Sequence, residues 1–372
     1  MAAPSYLIIT SRAVGGMEKR LLEIWQELAG RGCDVRLVIP GPTYRQLRKR
    51  PDLAPLARLE ARIQLIDPAG TSFWHMLRAL WPIVRTIPAG ATVHYLLNIF
   101  PFVHSWLGHR IILSWVATRL PRLGLRKSAF ADWLMASLSF RQADVIDVLN
   151  PMIEEKLARR SGLRRKLNVT AGGTFVDLAH FRPGPCKMDR IVFLGRMERE
   201  KGALRFVEAI PEMVRQLAVH GLSAEFVLLG GGGDEEDAIR ALLKTEDYRA
   251  LPIMLGYADD PSVALGPAKI FLSLQRSSNY PSKALAEAMA CGCIPIVTDT
   301  GESRLMTGEA PAEYVPGAFT PAQLAEAVVR ILALPAEAFA RRSEAVRRLA
   351  QDRFAIGVQA DYFARLYGCA AR

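Results

Sequence analysis

A regular alternation of short apolar strands with amphipathic helices constrains the fold more than any other feature of this sequence. The chain begins with a strand, "SYLIIT", and continues with "GGMEKRLLEIWQELAGRG", whose apolar residues recur at helical spacing. Further predicted strands are "CDVRLVIP", "IQLID", "ATVHYLL", "RIILSWVA" and "ADVIDVLN", and a further predicted helix is "PMIEEKLARRSG". This alternation predicts a parallel sheet covered by helices on both faces, which is the α/β class.

The pattern is interrupted once and then begins again. Residues 181–189, "FRPGPCKMD", are rich in Pro and Gly, as linkers are. The strand "RIVFLG" follows, then the helix "ALRFVEAIPEMVRQLA" and the strands "EFVLLG", "PIMLG" and "KIFLSL". Because 372 residues also suit two domains, we predict two Rossmann-like domains facing each other across a cleft, with a hinge near residue 185. Ligands of such sheets lie beyond the carboxyl ends of the strands.

Composition limits the possible partners. The net charge of +11 indicates an anionic partner such as nucleic acid, a phospholipid surface or a phosphorylated substrate. No nucleic-acid-binding motif accompanies the charge, so no nucleic acid is predicted. Five cysteines without zinc-type spacing favour a reducing compartment, and Cys291 and Cys293 are predicted to be core residues.

No secretory signal is recognisable, because "SYLIIT" is short and lacks a basic leader. The run from Thr86 to His109 contains no Asp, Glu, Lys or Arg. Its Pro and Gly residues favour a strand and a membrane-touching loop over a spanning helix.

Two loops at predicted strand ends carry candidate binding residues. In "LIITSRAVGGMEKR", Gly15 and Gly16 would let an anionic ligand approach the backbone and the N-terminus of the following helix. In "VFLGRMEREKGALRF", Arg196 and Lys201 can reach one point above the strand ends and suit two oxygens of a diphosphate. The alternatives are a simple glycine turn and a solvated charged loop.

A third glycine-rich loop, "LLGGGGDEEDAIR", does not fit a dinucleotide-binding motif. Its spacing is not G-x-G-x-x-G, and the acidic run from Asp234 to Asp237 would repel a phosphate at that helix start. We predict that residues 230–233 form a turn at the border of the ligand site.

Residues 277–300, "SSNYPSKALAEAMACGCIPIVTDT", predict a capped helix followed by a buried strand. Pro281 sets a turn, Ser282 caps, and the helix begins at about Lys283. Glu287 lies one turn inside this apolar helix, where an ionised carboxylate needs a partner. Two vicinal hydroxyls of a ribose would serve, and an i,i+4 ion pair with Lys283 is the alternative.

In their order and spacing these segments resemble the retaining glycosyltransferases of the GT-B fold in family GT4, the group of bacterial polysaccharide and lipopolysaccharide sugar transferases. The matching segments are "VGGMEKRLLEIWQELAGRGCDVRLVI", "GGTFVDLAHFRPG", "FLGRMEREKG", "SSNYPSKALAEAMACGCIPIVTDTGE" and "DRFAIGVQADYFARLYG". The resemblance implies an acceptor-side domain over residues 1–182 and a nucleotide-sugar-binding domain over residues 183–351. It also implies that the final helix, residues 352–372, crosses back to the first domain.

The resemblance further implies roles for individual residues. Arg196 and Lys201 would stabilise the leaving diphosphate, and Glu287 would hold the ribose hydroxyls. The remaining donor contacts would be Gly15, Gly16, Asn279, Tyr280, Ser282, Lys283, Gly256 and Tyr257. Sugar transfer from a UDP- or GDP-linked donor would retain the anomeric configuration and would require no bound metal and no cofactor besides the donor.

The sequence departs from the family pattern in two places. The first acid of the family's Glu–seven residues–Glu motif falls on Asn279, and the His that often follows the strand "RIILSWVA" is absent. His94 and His104 are the nearby acceptor-side candidates, although a His on a strand is more often structural.

The acceptor is predicted to be a glycan or a lipid-linked molecule at a membrane. Residues 110–127, "RIILSWVATRLPRLGLRK", contain five basic residues and no acid, and "TSFWHMLRALWPIVR" is similarly aromatic and basic. Such segments suit an anionic membrane surface, which predicts a cytoplasmic enzyme bound peripherally to the inner face of the cell membrane. The alternative is an ordinary core strand and helix with a solvated basic face.

Two other functions fit the same fold. A nucleotide-sugar epimerase would need acid and base groups beside the sugar, where Asn279 stands. A non-catalytic partner subunit would bind nucleotide or membrane and transfer nothing.

Overall fold

The computed structural model describes residues 4–11, 16–48, 59–68, 70, 73–117, 120–121, 127–278 and 280–369. The chain divides into two compact units: Met1–Gly173 together with Ile356–Arg372 form the first unit, and Thr174–Ala355 form the second. The predicted domain boundaries, 182/183 and 351/352, lie nine residues after and four residues before these two changes of unit.

Each unit is built on its own strands. The strands of the first unit are β1 (Ser5–Ile8), β2 (Val35–Pro40), β3 (Ile63–Ile66), β4 (Thr92–Leu96), β5 (Arg110–Trp115), β6 (Val145–Val148) and β7 (Leu167–Val169). The strands of the second unit are β8 (Met188–Leu194), β9 (Glu225–Leu229), β10 (Ile253–Gly256), β11 (Ala268–Ser273), β12 (Ile294–Thr298) and β13 (Glu313–Val315).

The helices follow the strands along the chain. Those of the N-terminal part are α1 (Gly16–Gly30), α2 (Gly41–Arg48), α3 (Phe73–Val84), α4 (Lys127–Gln142) and α5 (Pro151–Ala158). Those of the second unit are α6 (Ala203–Val219), α7 (Glu236–Leu242), α8 (Glu246–Arg249), α9 (Ser262–Leu265), α10 (Lys283–Ala290), α11 (Ser303–Thr307), α12 (Pro321–Leu332) and α13 (Ala336–Phe354). The last helix, α14 (Ile356–Tyr367), belongs to the first unit.

Both sheets are parallel, with the strand order β3-β2-β1-β4-β5-β6-β7 in the first unit and β10-β9-β8-β11-β12-β13 in the second. The α/β prediction with two parallel-sheet domains is therefore confirmed. The strand order reverses between β1 and β4 and again between β8 and β11. In open parallel sheets, ligands bind beyond the carboxyl ends of the strands at such reversals.

The central strands are buried on both faces, which explains their near-continuous apolar sequences. All residues of β4 and of β12 are buried. In the register of the second sheet, Ile191 of β8 lies between Phe226 of β9 and Ile270 of β11, and all three side chains belong to one core. Cys291 and Cys293 are fully buried, as predicted.

Helix α14 packs on α1 in the first unit. Arg20 donates hydrogen bonds through Nε and Nη2 to Gln359 Oε1 at 3.1 and 2.8 Å. Gln359 Nε2 in turn donates to the backbone oxygen of Ala171 at 3.1 Å. These buried polar contacts fix the position of α14 on the unit where the chain began.

The two segments predicted to touch a membrane form different structures, a strand in one case and a helix in the other. β5 is a core strand in which Ile111, Ile112 and Leu113 are fully buried, so the alternative interpretation holds for residues 110–117. Residues 118–119 and 122–126 of the same segment lie outside the described residues. The other segment forms α3, which leaves Trp74 and Trp81 exposed. Within the described ranges, no helix is long and apolar enough to span a bilayer.

Candidate functional site

A cavity of about 160 Å³ lies in the second unit at the carboxyl ends of β8 and β11. These are the neighbouring strands between which the strand order reverses, so the cavity occupies the expected ligand position. Its lining includes Leu194, Gly195, Lys201, Ser273, Gln275, Ser282, Lys283 and Ala284. Of the sequence-predicted site residues, Lys201, Ser282 and Lys283 therefore meet at one cavity.

The start of α10 forms one wall of this cavity. Ser282 is the N-cap, with φ −90° and ψ 106°, and its side chain accepts a hydrogen bond from the backbone N–H of Leu285 at 3.4 Å. The helix begins at Lys283, so the predicted cap and start are both confirmed. Backbone N–H groups of a first helical turn lack intrahelical acceptors, and the helix dipole makes this end favourable for an anion.

Lys201 also lines the cavity, and the charge of Arg196 lies near Lys201. Burial, and after it the charge of Arg196, lowers the pKa of Lys201 below its ordinary value, although Glu198 and Glu200 act in the opposite direction. Arg196 is itself exposed and forms an ion pair with Glu198 at 2.5 Å. Lys201 is thus a partly desolvated cation beside a second cation, and an anion in the cavity would relieve both effects.

Close backbone packing positions the loop that carries these cations. Gly202 has φ 77°, and a β-carbon there would lie 2.3 Å from the backbone oxygen of Leu274 at the end of β11. Gly230 has φ 135°, and a β-carbon there would lie 1.9 Å from the backbone oxygen of Gly195. Only glycine fits these two contacts, which hold the loops after β8, β9 and β11 against one another.

The glycine-rich loop supports the cation loop and is not a second phosphate site. Met197 donates a backbone hydrogen bond to the oxygen of Gly232 at 2.9 Å. Asp234 accepts from the backbone N–H of Arg199 at 3.0 Å, and Glu235 accepts from that of Leu204 at 3.2 Å in the first turn of α6. A carboxylate thus already occupies the start of α6. The sequence showed the acidic run, but not that it caps a helix more than thirty residues earlier in the chain.

Glu287 is 8% exposed, one turn inside α10. Its Oε1 lies 4.0 Å from Lys283 Nζ, at the outer limit of an ion pair, so the alternative partner considered from sequence is present. The contact of Glu287 with ribose hydroxyls stays a prediction.

The remaining donor-side residues are placed differently from one another. Tyr280 is buried and packs in a core cluster of the second unit. Gly256 ends β10, and its backbone oxygen accepts from Gly230 at 2.9 Å, whereas Tyr257 beyond it is 80% exposed. Gly16 is the first residue of α1. Gly15 and Asn279 lie outside the described residues.

His94 is fully buried in the first unit and belongs to a hydrogen-bonded network. Ser114 donates its hydroxyl proton to Asp147 and therefore accepts from His94 Nε2 at 2.8 Å. Nδ1 of the neutral ring then accepts from the hydroxyl of Tyr367 at 2.6 Å. Burial lowers the pKa of His94 to about 4, against the opposing charge of Asp147.

His104 is also buried and partnered. It forms hydrogen bonds with Tyr95 Oη at 2.7 Å and with His109 Nδ1 at 2.9 Å. Burial, together with the neighbouring His109, lowers its pKa to about 3. These contacts favour a structural role for both histidines, and their acceptor-side role stays a prediction.

Leu97 of the first unit has an unusual backbone conformation near the carboxyl ends of β1 and β4, where the strand order of that sheet reverses. Leu97 directly follows β4, beside the end of β1, and has a positive φ of 67°. A non-glycine residue in this region costs about 1–3 kcal/mol and is found preferentially near functional sites. No pattern in the sequence indicates it, because leucine is an ordinary core residue.

Models of known protein families match both units. The model described as "Glycosyl transferase 4-like domain" matches residues 15–173, and the model described as "Glycosyl transferases group 1" matches residues 189–333. A comparison with curated protein sequences gives no significant match.

Solved structures are similar to nearly the whole chain at low sequence identity. A glycosyltransferase from Rickettsia africae is 13% identical, with a TM-score of 0.72 and coverage of 99% of this chain and 98% of that one. HepE from Anabaena in complex with UDP is 12% identical, with a TM-score of 0.71 and coverage of 99% and 100%. Sucrose-phosphate synthase from Thermosynechococcus elongatus is 18% identical, with a TM-score of 0.67 and coverage of 98% of both chains.

The family models match most of the chain, one in each unit, and the similar structures extend over its full length. The second of the two matched segments contains the cavity at the ends of β8 and β11 and the cations beside it. The protein is accordingly a glycosyltransferase of the group 1 type with the GT-B fold.

Proposed function

We propose that this glycosyltransferase moves a sugar from a UDP- or GDP-linked donor to a glycan or lipid-linked acceptor in cell-surface polysaccharide synthesis, with retention of configuration. The observation that carries the proposal is the cavity in which Lys201 faces the start of α10, beside Arg196. Its volume of about 160 Å³ is below the usual size of a pocket for a whole small-molecule ligand. It suits the diphosphate part of a donor.

The proposed chemistry is stabilisation of the leaving group. The bond from the anomeric carbon to the diphosphate oxygen breaks, and its electron pair stays on the diphosphate. The acceptor oxygen bonds to the anomeric carbon, and its hydroxyl proton passes to the departing diphosphate. Negative charge grows on the diphosphate, where Lys201, Arg196 and the N–H groups of α10 stabilise it. Removing one such donor typically lowers a rate constant about 100–1000-fold.

Similar structures favour UDP as the first donor nucleotide to test. The Anabaena HepE structures contain UDP, UDP with glucose, and UDP-glucose. A UDP-linked hexose is therefore the donor we would test before a GDP-linked one.

We further propose that the enzyme works at the inner face of the cell membrane, bound peripherally from the cytoplasm. The net charge of +11 and the exposed tryptophans of α3 support this location. A lipid-linked acceptor would be presented at such a surface.

A second candidate function is a non-catalytic partner subunit that binds a nucleotide. It is favoured by Asn279 in place of the first acid of the family motif and by the burial of His94 and His104. Such a subunit would keep the donor cavity and lack turnover.

The deciding experiment combines a thermal-shift panel of UDP-, GDP-, ADP- and dTDP-sugars with a turnover assay on membrane extract. Ligand binding to the native state raises the melting temperature by mass action. We expect one nucleotide class to shift the wild type and Lys201→Ala to lose that shift, with Lys244→Ala on the exposed surface as control. A shift without sugar transfer would favour the partner subunit, and epimerisation of the donor without acceptor would indicate an epimerase. NMR of the product linkage tests retention.

A further inference from the structure

Helix α3 carries an exposed stripe of alternating tryptophan and arginine. Trp74, Arg78, Trp81 and Arg85 follow at spacings of four, three and four residues, which places them on one side of the helix and its extension. Trp74 is 73% exposed, Trp81 is 40% exposed, and both arginines are exposed. Another side of the helix packs into the core of the first unit through Leu80 and Val84.

A groove of about 570 Å³ runs along this stripe. Trp74, Leu77, Arg78 and Trp81 form one side, and Pro101 and Val103 form the other. The turn that contains Val103 also carries Trp106, which is 86% exposed. Large exposed aromatic side chains collected on one face mark an interaction surface more often than isolated apolar residues do.

The segment of sequence that forms this groove carries charges of a single sign. Between Asp67 and Asp132 every charged residue of the chain is basic, and the charged residue in the groove is Arg78. An ordinary solvated helix face mixes acids with bases. This combination of tryptophan and arginine without acids matches the headgroup region of an anionic bilayer, where indole rings and guanidinium groups are both favourable.

We propose that the Trp74–Trp81 stripe and its groove form a docking surface for an anionic phospholipid bilayer. Trp74, Trp81 and Trp106 enter the headgroup level, and Arg78 and Arg85 bind lipid phosphates. The proposal gives the residues that would hold the enzyme in its proposed membrane location, and it rests on that part of the proposed function. It does not depend on the donor cavity.

The test uses the full chain and flotation with phosphatidylcholine vesicles, prepared with and without phosphatidylglycerol. We expect binding to the anionic vesicles, weakened by salt because the charges are exposed. The double variant Trp74→Ala/Trp81→Ala should bind at least about tenfold more weakly, since two large apolar contacts are lost. Brominated lipids should quench the tryptophan fluorescence of the wild type and quench it less in the double variant.

Two charge-reversal variants distinguish binding through this surface from binding through the overall positive charge. Arg78→Glu and Arg341→Glu lower the net charge equally, and Arg341 is an exposed residue of α13 in the second unit. We expect Arg78→Glu to lose most vesicle binding and Arg341→Glu to keep it. Equal loss in both variants, binding unchanged in the tryptophan variant, or no wild-type binding to anionic vesicles would each overturn the proposal.

Donor binding, measured by thermal shift with the UDP-sugar, provides an independent readout for every variant. A retained shift with no vesicle binding by the wild type would overturn the docking surface and leave the donor site intact. Vesicle binding by a wild type whose melting temperature no UDP-sugar raises would overturn the donor site and leave the docking surface intact.

Discussion

Both units contain basic side chains whose pKa is lowered by burial, but their surroundings differ. In the first unit, His94 and His104 are held neutral, and each ring nitrogen has a hydrogen-bond partner. In the second unit, Lys201 lies at the wall of a cavity, beside the charge of Arg196. A lowered pKa therefore accompanies a closed hydrogen-bond network in the first unit and a cavity suited to an anion in the second unit.

The comparison shows that a pKa shift alone does not identify a functional residue. The informative difference is that protein groups close the network around His94, whereas Lys201 lines a cavity. Asp147 accepts hydrogen bonds from Ser114, Thr170 and Tyr362, which closes the network around His94. At Lys201, a cavity and a helix start lie next to the cation.

We expect the largest effect from Lys201→Ala, which removes the cation that lines the cavity. We expect sugar transfer to fall by about 100–1000-fold in kcat/KM, because the leaving diphosphate loses a preorganised cation. The melting temperature without ligand should stay near that of the wild type, since burial already disfavours the charged lysine. A variant that loses stability in parallel with activity would place Lys201 among the structural residues instead.

Asp147→Ala tests the closed network. Three hydroxyl donors lose their buried acceptor, so we expect the first unit to be destabilised by about 2–3 kcal/mol. Urea denaturation would measure the change. Asp361→Ala, which removes an exposed ion pair with Arg31 on the same helix as Tyr362, should cost less than about 1 kcal/mol. Similar effects of the two variants would contradict the assignment.

Gly202→Ala tests whether close backbone packing shapes the cavity. The added methyl group meets the backbone of Leu274 and the residue keeps a positive φ, so we expect a cost of about 1–3 kcal/mol and weaker donor binding. Gly221→Ala is the matched control, because Gly221 also has a positive φ but has open space around its β-position. If the control weakens donor binding equally, the contact with Leu274 does not shape the site.

The histidines should make the first unit sensitive to acid. Their native pKa values, about 4 for His94 and about 3 for His104, lie below the ordinary 6.5, so the unfolded chain binds protons first as the pH falls. Their contribution is complete above about pH 6.5 and is lost towards pH 4 and pH 3, at up to about 1.4 kcal/mol per pH unit for each histidine.

Unfolding free energies measured from pH 7 to pH 4 would show this slope. His94→Gln should flatten it, whereas the exposed His220→Gln should leave it unchanged. An unchanged slope in His94→Gln would show that His94 is not neutral in the native state.

Much of the fold was predictable because local patterns and topology agree. Buried parallel strands need continuous apolar runs, and amphipathic helices need a period near 3.6 residues, so the alternation itself specifies two parallel sheets. β7 and β13 escaped prediction because each has only three residues, which is too short for a periodic pattern. The N-cap at Ser282 was predictable because a capping residue acts on backbone groups three positions away.

Several features of the site depend on residues far apart in the chain. Lys201 meets the start of α10 because β8 and β11 are neighbours in the sheet, and no local pattern specifies that pairing. Glu235 caps α6 and His94 contacts α14 through similarly distant contacts. The sequence by itself determined the longer strands and helices, the N-cap at Ser282 and the candidate cations, since these follow from interactions within a few residues. Tertiary structure alone decided which basic groups are enclosed and which border a cavity, because burial and hydrogen-bond partners are supplied by other elements of the fold.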